Sequence, residues 1–327
     1  MIGEPKLWQP VRIGIVGAGA FGQLHVATVR HLAEAQLTAV VDRDHTKLHD
    51  LPSTVSCWTD LESALAADVA DAWIVACTTA QHVPVTERLL QAGSTVLLEK
   101  PLALDLEEAE RLAPLVRPGS ANLMLGHVLL FNSEFRSLQK ELTGRDQIRL
   151  ISCYRMRAAT QLPLYPGESP FHLTMVHDLY CVQTLMDRRD PVTMTAQQGR
   201  SQDGAVDLAL AQLRWEDGAL ATFTSGLVTP PGLPEQGFDR MEVFGQGWAA
   251  RLLPNPRPIQ LWDDKARSPL QTELLTDASG TAGMLAEEQR SFCRVVRGQQ
   301  SVPIGARYED GMQLMRWLDQ LERLAEG

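Results

Sequence analysis

From residue 11 to about 127 the chain alternates short apolar runs with longer amphipathic ones. Runs of strand length stand at 11–16, 37–42, 53–57, 71–77, 94–99 and 121–126, and helical spacing of apolar residues at 21–35, 60–67, 83–92 and 105–117, with a further helix at 132–142. Alternation of this kind predicts a doubly wound parallel sheet with helices on both faces. Ligands of such sheets bind beyond the carboxyl ends of the strands. The residues to watch are therefore Gly17 to Gly22, Asp42, Thr78-Thr79, Glu99-Lys100-Pro101 and His127.

After about residue 145 strands follow one another: 147–157, 192–199, 206–215, 219–227, 238–245 and 248–253. Asp217-Gly218 reads as a hairpin turn between two of them. One helical pattern, Phe171 to Met186, interrupts the series, and two more close the chain at 283–297 and 307–325. This predicts an α+β domain with a large, mostly antiparallel open sheet. The expected division is 1–127 for the first domain and 128–327 for the second, the last helix packing back on the first. The proline-rich segments 158–170 and 229–237 read as loops long enough to act as lids.

Composition narrows the classes. With 327 residues, 44% hydrophobic and 21% charged, the chain is long enough for two cores. A formal net charge of −10 and no basic block argue against nucleic acid and anionic membranes as partners. No apolar stretch reaches the roughly eighteen residues of a membrane span, and the first ten residues lack a signal core. Cys57, Cys77, Cys153, Cys181 and Cys293 form no C-x-x-C or metal spacing and read as reduced thiols of a cytoplasmic protein. His25, His31, His45 and His49 likewise lack a ligand arrangement, so no metal is expected.

The first chemical signal is Gly17-Ala18-Gly19-Ala20-Phe21-Gly22, between an apolar strand and a helix. Gly17 permits the tight turn, Gly19 lets the backbone approach a pyrophosphate, and Gly22 lets helix and strand pack closely. The helix N-terminus offers N–H groups to the phosphates. Asp42, twenty residues past Gly22, ends the second strand, where a carboxylate accepts the ribose hydroxyls and repels a 2′-phosphate. This favours NAD over NADP. Arg43 follows and leaves NADP open, because a guanidinium could hold that phosphate or stack on adenine.

The second signal is Val96-Leu97-Leu98-Glu99-Lys100-Pro101, a buried strand ending in a charged pair and proline. An ammonium there can hold a substrate oxygen or shift a neighbouring pKa, or merely snorkel to solvent. His82 reads as a residue that caps or packs at the helix opened by Pro84.

Taken in order, the glycine fingerprint, Asp42, Val75-Ala76-Cys77-Thr78-Thr79-Ala80-Gln81-His82, Glu99-Lys100-Pro101, Gly126-His127, Phe131-Asn132, His177-Asp178, Glu242 to Gly247 and Glu309-Asp310-Gly311 resemble the Gfo/Idh/MocA family over nearly the whole chain. The resemblance implies a Rossmann domain followed by an α/β domain whose open sheet makes a homo-oligomer contact, with the nicotinamide between them. It implies cofactor contacts from Gly17, Gly19, Ala20, Phe21, Gly22, Asp42, Arg43, Cys77, Thr78, Thr79, His82, Glu99, Lys100 and Pro101. It further implies that Lys100 and His177 are the catalytic pair, and that the Lys100–Pro101 peptide is cis.

The pattern is also broken. Relatives carry D-x-x-x-H on the first long helix of the second domain, but Leu173 stands four residues before His177, on the same helix face. Thr174 and Tyr180, each three residues from His177, are the nearby substitutes, whereas His172 falls about 140° around an α-helix and Asp178 about 100°. Asp178 is expected to anchor something else. Leu130 replaces a frequent arginine, and Thr78-Thr79 a frequent Pro-Asn or Pro-Thr. His127, Asn132, Thr174 and Tyr180 are the expected substrate contacts.

The expected function is NAD(P)-dependent hydride transfer at a secondary alcohol or carbonyl of a small polar substrate, a sugar, cyclitol or derivative. His177 would exchange the proton and Lys100 would hold the oxygen. Two alternatives are a redox-neutral enzyme with permanently bound NAD and a non-catalytic NAD(P)-binding regulator.

Overall fold

A computed structural model describes residues 9–145, 147–165, 167–232, 238–254, 261–262, 266–267 and 282–326. The described residues fall into two compact units, one formed by 9–104, 108–126 and 282–303, the other by 105–107, 127–254 and 304–326.

In the first unit β1 (Val11–Val16), β2 (Ala35–Val41), β3 (Ser56–Trp58), β4 (Ala72–Val75), β5 (Thr95–Glu99) and β6 (Leu123–Gly126) form one sheet in the order β3-β2-β1-β4-β5-β6. Every pairing is parallel. Its central strands are mostly apolar because helices cover both faces; Ile13, Ile15, Ile74, Leu97 and Leu98 are all at most 1% exposed. The order reverses between β1 and β4, so the crevice at their carboxyl ends is the ligand position of a doubly wound sheet.

The helices are α1 (Ala20–Val29), α2 (Leu61–Ala66), α3 (Thr79–Gln91) and the last three residues of α4 (Leu106–Glu110). Three boundaries differ from the sequence pattern. α1 stops at Val29 because residues 30–34 turn the chain into β2. α3 begins at Thr79 and carries Pro84 within its second turn. The helix expected over 105–117 breaks after Glu110, and Pro114 stands in a separate 3₁₀ turn, Ala113–Leu115. A later helix, α7 (Met284–Val296), also belongs to this unit.

The second unit holds α5 (Ser133–Leu142), β7 (Ile148–Ala158), α6 (Val176–Leu185), β8 (Thr193–Arg200), β9 (Val206–Arg214), β10 (Leu220–Thr229), β11 (Phe238–Gly245), β12 (Trp248–Leu252) and α8 (Tyr308–Glu326). The sheet order is β12-β11-β7-β10-β9-β8. Only β7 and β10 pair in parallel. Period-two alternation divides its faces. Ile151, Cys153, Ala211, Leu213, Ala221, Phe223 and Val243 are buried on one face, against which the residues around α6 and α8 pack. The registers Leu220↔Leu150, Thr224↔Tyr154 and Phe244↔Leu150 put Leu210, Leu220 and Phe244 on the other face, each more than a third exposed.

The helix expected over 171–186 starts with a π-helical turn, Phe171–Met175, before the regular α6. Segment 158–170 holds a 3₁₀ stretch, Ala159–Leu164. Of segment 229–237, residues 233–237 lie outside the described residues. Cys57 is exposed, Cys77 half-buried and the other three cysteines buried, all as free thiols. No described helix is long and apolar enough to cross a membrane.

Candidate active site

In the first unit the glycine turn closes against the end of β4. A Cβ on Gly17 (φ +99°) would stand 2.6 Å from the Ala76 carbonyl oxygen, and one on Gly22 would stand 2.0 Å from the Gly17 carbonyl oxygen. Neither position accepts a side chain. Around Gly19, by contrast, a Cβ would meet nothing within 4 Å. Gly19 caps α1 without any side-chain hydrogen bond, so the first-turn N–H groups stay available to an anion. Ala20 is exposed and Phe21 half-buried beside this turn, Phe21 meeting His25 edge-on.

Asp42 follows β2. Its Oδ2 accepts the Ala18 N–H at 2.7 Å and its Oδ1 accepts the Asp44 N–H at 2.9 Å. These bonds fix the carboxylate beside the glycine turn while using two of its roughly four lone-pair positions. The remainder suit two ribose hydroxyls. Arg43 is exposed. After β4, Cys77 and Thr79 are half-buried and Thr78 exposed, and burial pushes the Cys77 thiol up to about 11. The open Gly19, the uncapped α1 and the oriented Asp42 carboxylate fit a dinucleotide.

Behind β5 lies a buried polar cluster that the sequence reading did not find. Glu99 Oε1 is 2.8 Å from His25 Nε2, and Gln289 Nε2 is 2.9 Å from His25 Nδ1. Gln289 therefore donates to Nδ1, and His25 donates from Nε2 to the carboxylate. Gly126 leaves room for this acid, since a Cβ there would be 2.9 Å from Glu99 Oε1. Glu288, also on α7 and fully buried, has no hydrogen-bond partner on either oxygen among the described residues. Burial first, and the Glu99 charge second, hold its carboxyl well above the usual range.

Lys100 is half-buried at the end of β5, and its peptide to Pro101 is cis. Its backbone N–H points to Glu99 Oε2 at 3.3 Å. His82 is buried inside α3, with Nδ1 2.7 Å from the Pro101 carbonyl and Nε2 3.2 Å from that of Cys77. Burial lowers its pKa, so a neutral ring donates to one carbonyl, by distance that of Pro101. The ring thus pins the backbone that follows Lys100.

In the second unit, half-buried His177 opens α6 with Nδ1 2.9 Å from the Tyr180 hydroxyl. The Leu129 N–H donates to the same hydroxyl at 3.1 Å. The ring of His127 stacks on Tyr180 (centroids 4.4 Å apart, planes 7° apart), and its Nδ1 lies 2.5 Å from the Gly305 carbonyl. Gly305 (φ +90°) is obligatory, because a Cβ would come within 2.5 Å of Thr184 Oγ1. Asp310 of the Glu309-Asp310-Gly311 motif accepts the N–H groups of Gly305 and Arg307 at 2.7 and 3.1 Å.

The remaining expected contacts are engaged within this unit. Asn132 caps α5 by accepting the Phe135 N–H and donates to the Pro254 carbonyl. Thr174 donates to the Pro170 carbonyl, one turn back. His172 meets Glu322 at 3.0 Å. Asp178 anchors α6, accepting two hydrogen bonds from Arg155 of β7, which also bonds Asp239 of β11. Burial raises the Asp178 pKa in spite of that guanidinium.

Comparison with known proteins places the chain in a family. Residues 11–127 match the oxidoreductase family model with an NAD-binding Rossmann fold, and residues 124–249 match the GFO/IDH/MocA C-terminal domain. The chain is 26% identical to inositol 2-dehydrogenase of Rhizobium meliloti (strain 1021), covering 94% of this chain and 95% of that protein. It is 25% identical to UDP-N-acetylglucosamine 3-dehydrogenase of Acidithiobacillus ferrooxidans over 72% of each. The crystal structure of scyllo-inositol dehydrogenase from Lactobacillus casei with bound NAD(H) and scyllo-inositol superposes with a TM-score of 0.81 over 97% of both chains, at 20% identity, which speaks to the fold. The glycine turn on Asp42, the Glu99-Lys100-Pro101 strand end and the two matched models lead to one conclusion: the chain belongs to the Gfo/Idh/MocA oxidoreductase family, and its first unit is an NAD-binding Rossmann domain.

Proposed function

We propose that this protein is an NAD-dependent dehydrogenase or reductase acting on a ring secondary alcohol, or the matching ketone, of a cyclitol, sugar or sugar derivative. The observation that carries the reading is the Asp42 carboxylate fixed onto the glycine turn, in a chain that also sets Lys100 at the end of β5 and His177 at the start of α6. The relatives named for inositol and for UDP-N-acetylglucosamine support the substrate class.

Gly19 and the N-terminus of α1 would hold the pyrophosphate, and Asp42 the adenosine ribose, excluding a 2′-phosphate by charge. NAD, when bound, supplies the hydride acceptor and NADH the donor. Lys100 would donate a hydrogen bond to the reacting oxygen and stabilise the negative charge that develops there. His177 would exchange the hydroxyl proton. We further propose a homo-oligomer formed through the open sheet face bearing Leu210, Leu220 and Phe244, and a cytoplasmic location, in keeping with five free thiols.

The test is a titration of NAD and NADP by tryptophan fluorescence, followed by nicotinamide absorbance on a panel of polyols, sugars and nucleotide sugars. Tighter binding of NAD and turnover on a cyclic polyol are expected. Full activity in Lys100→Ala or His177→Ala would overturn the role assignment. Tight binding with no turnover on any substrate would favour the regulatory alternative.

A further inference from the structure

The pattern Leu173-x-x-x-His177 leaves the proposed proton-exchanging histidine without a carboxylate on its own helix face. The structure puts a different group against its ring. We propose that Tyr180 is the positioning residue of His177 and that it works as a hydrogen-bond donor to Nδ1, which places the proton of the neutral imidazole on Nε2. The proposal rests on the oxidoreductase reading only for its effect on turnover.

Three observations carry it. First, the Tyr180 hydroxyl lies 2.9 Å from His177 Nδ1. Second, the Leu129 N–H donates to that same hydroxyl oxygen at 3.1 Å. A backbone N–H can only donate, so it occupies one lone pair of the phenolic oxygen, and relative acidity decides the direction of the contact with Nδ1. An imidazole nitrogen (conjugate acid about 6.5) is a good acceptor for a phenol (about 10), whereas the N–H of a neutral imidazole is a far weaker acid and the poorer donor to a phenolic oxygen. Third, the phenol is held from both sides. Tyr180 is fully buried, and its ring lies flat against His127. His127 is in turn fixed by the Gly305 carbonyl, and Gly305 by Asp310. A donor fixed this firmly leaves Nδ1 little choice of tautomer.

Three ionisable side chains of this unit have partners of their own. Asp178 binds Arg155, His172 meets Glu322, and Asp310 takes the Gly305 and Arg307 N–H groups. A carboxylate can only accept, and so would fix the opposite tautomer, with the proton on Nδ1 and a lone pair on Nε2. Tyr180 reverses this. The resting imidazole then carries its proton on Nε2, and an Nε2–H donor suits a carbonyl oxygen better than a hydroxyl proton. The inferred consequence is that the site binds the ketone form of its substrate more tightly than the alcohol.

Long-range ¹H–¹⁵N correlation spectra of the full chain labelled at histidine nitrogens read this directly, with His177 assigned by loss of its signals in His177→Asn. The expected spectrum shows a pyridine-type Nδ1 and a pyrrole-type Nε2. In Tyr180→Phe the Nδ1 signal should shift and the two tautomers should mix. A pyrrole-type Nδ1 in the parent protein, or a His177 spectrum unchanged in Tyr180→Phe, would overturn the proposal. If Tyr180→Phe fails to fold, the parent spectrum alone still decides the tautomer. Where turnover is found, Tyr180→Phe should lower kcat about 10- to 100-fold with little change in KM. It should also add little in the His177→Asn background, as residues acting together do. Absence of turnover on any substrate would sink the oxidoreductase reading and leave the spectra to judge this one.

Discussion

His25 Nε2 stands 2.8 Å from Glu99 Oε1, both side chains buried, so the helix behind the glycine turn is bonded to the strand end that carries Lys100. Removing the imidazole would leave the Glu99 carboxylate buried without its donor. His25→Leu is expected to cost about 1–3 kcal/mol, the range for leaving a buried acceptor without its donor. Urea unfolding checks this; a midpoint equal to that of the parent would show that the contact is dispensable.

Glu288 predicts a stability that declines with pH. Its folded-state pKa is raised above the unfolded carboxyl value by burial and by Glu99. The folded state therefore holds a proton that the unfolded state has released. The stabilisation is fully present below the unfolded pKa and is lost as pH rises toward the folded one. Melting temperature should fall as pH rises above the ordinary carboxyl range, and Glu288→Gln should flatten that slope. Parallel slopes in the two proteins would refute the assignment.

Arg155 joins β7 to Asp178 of α6 and Asp239 of β11, all three side chains at most 3% exposed. Arg155→Met would strand the buried Asp178 carboxylate, while Asp239 keeps Arg157, and should destabilise by about 3–5 kcal/mol. Arg155→Lys should recover only part of this, because an ammonium cannot make the bidentate contact. Equal stability of the lysine and arginine forms in thermal melts would contradict that geometry.

Asp42 should set cofactor choice. Asp42→Ala removes the ribose acceptor and the charge that repels a 2′-phosphate. The NAD dissociation constant is expected to rise about 10- to 100-fold, the loss of one to two good hydrogen bonds to a charged group, while that of NADP rises less or falls. Fluorescence titration with both cofactors measures it, and an unchanged NAD/NADP ratio would count against the role.

Most of the architecture of the two units was legible because period-two and helical spacing are set by the chain itself. The glycine turn and Asp42 were legible for the same reason, being adjacent features of one β-α-β unit. The π-turn at Phe171–Met175 was not, since nothing local marks an extra residue in a helical turn. The His25–Glu99–Gln289 cluster was missed because its members lie 74 and 264 residues apart in sequence. A hint was present: Glu288 and Gln289 fall on the same face as Leu285 and Phe292, the face the helix buries. The partner of His177 was half legible. Helical spacing put Tyr180 on the right side, but the Leu129 N–H that bonds its hydroxyl comes from a distant turn.

α7 returns to the first unit from beyond residue 282, supplying Gln289 to His25 and Glu288 to the space behind Glu99. A ribosome therefore finishes the dinucleotide-binding unit only after it has read through most of the second one. Until then the nascent sheet presents an uncovered His25 and an unsupported strand end. A gene fragment stopped at residue 127 would encode every motif of that half and still lack a wall of it, so expression of the isolated half should give a sticky, chaperone-dependent product rather than a free-standing cofactor module.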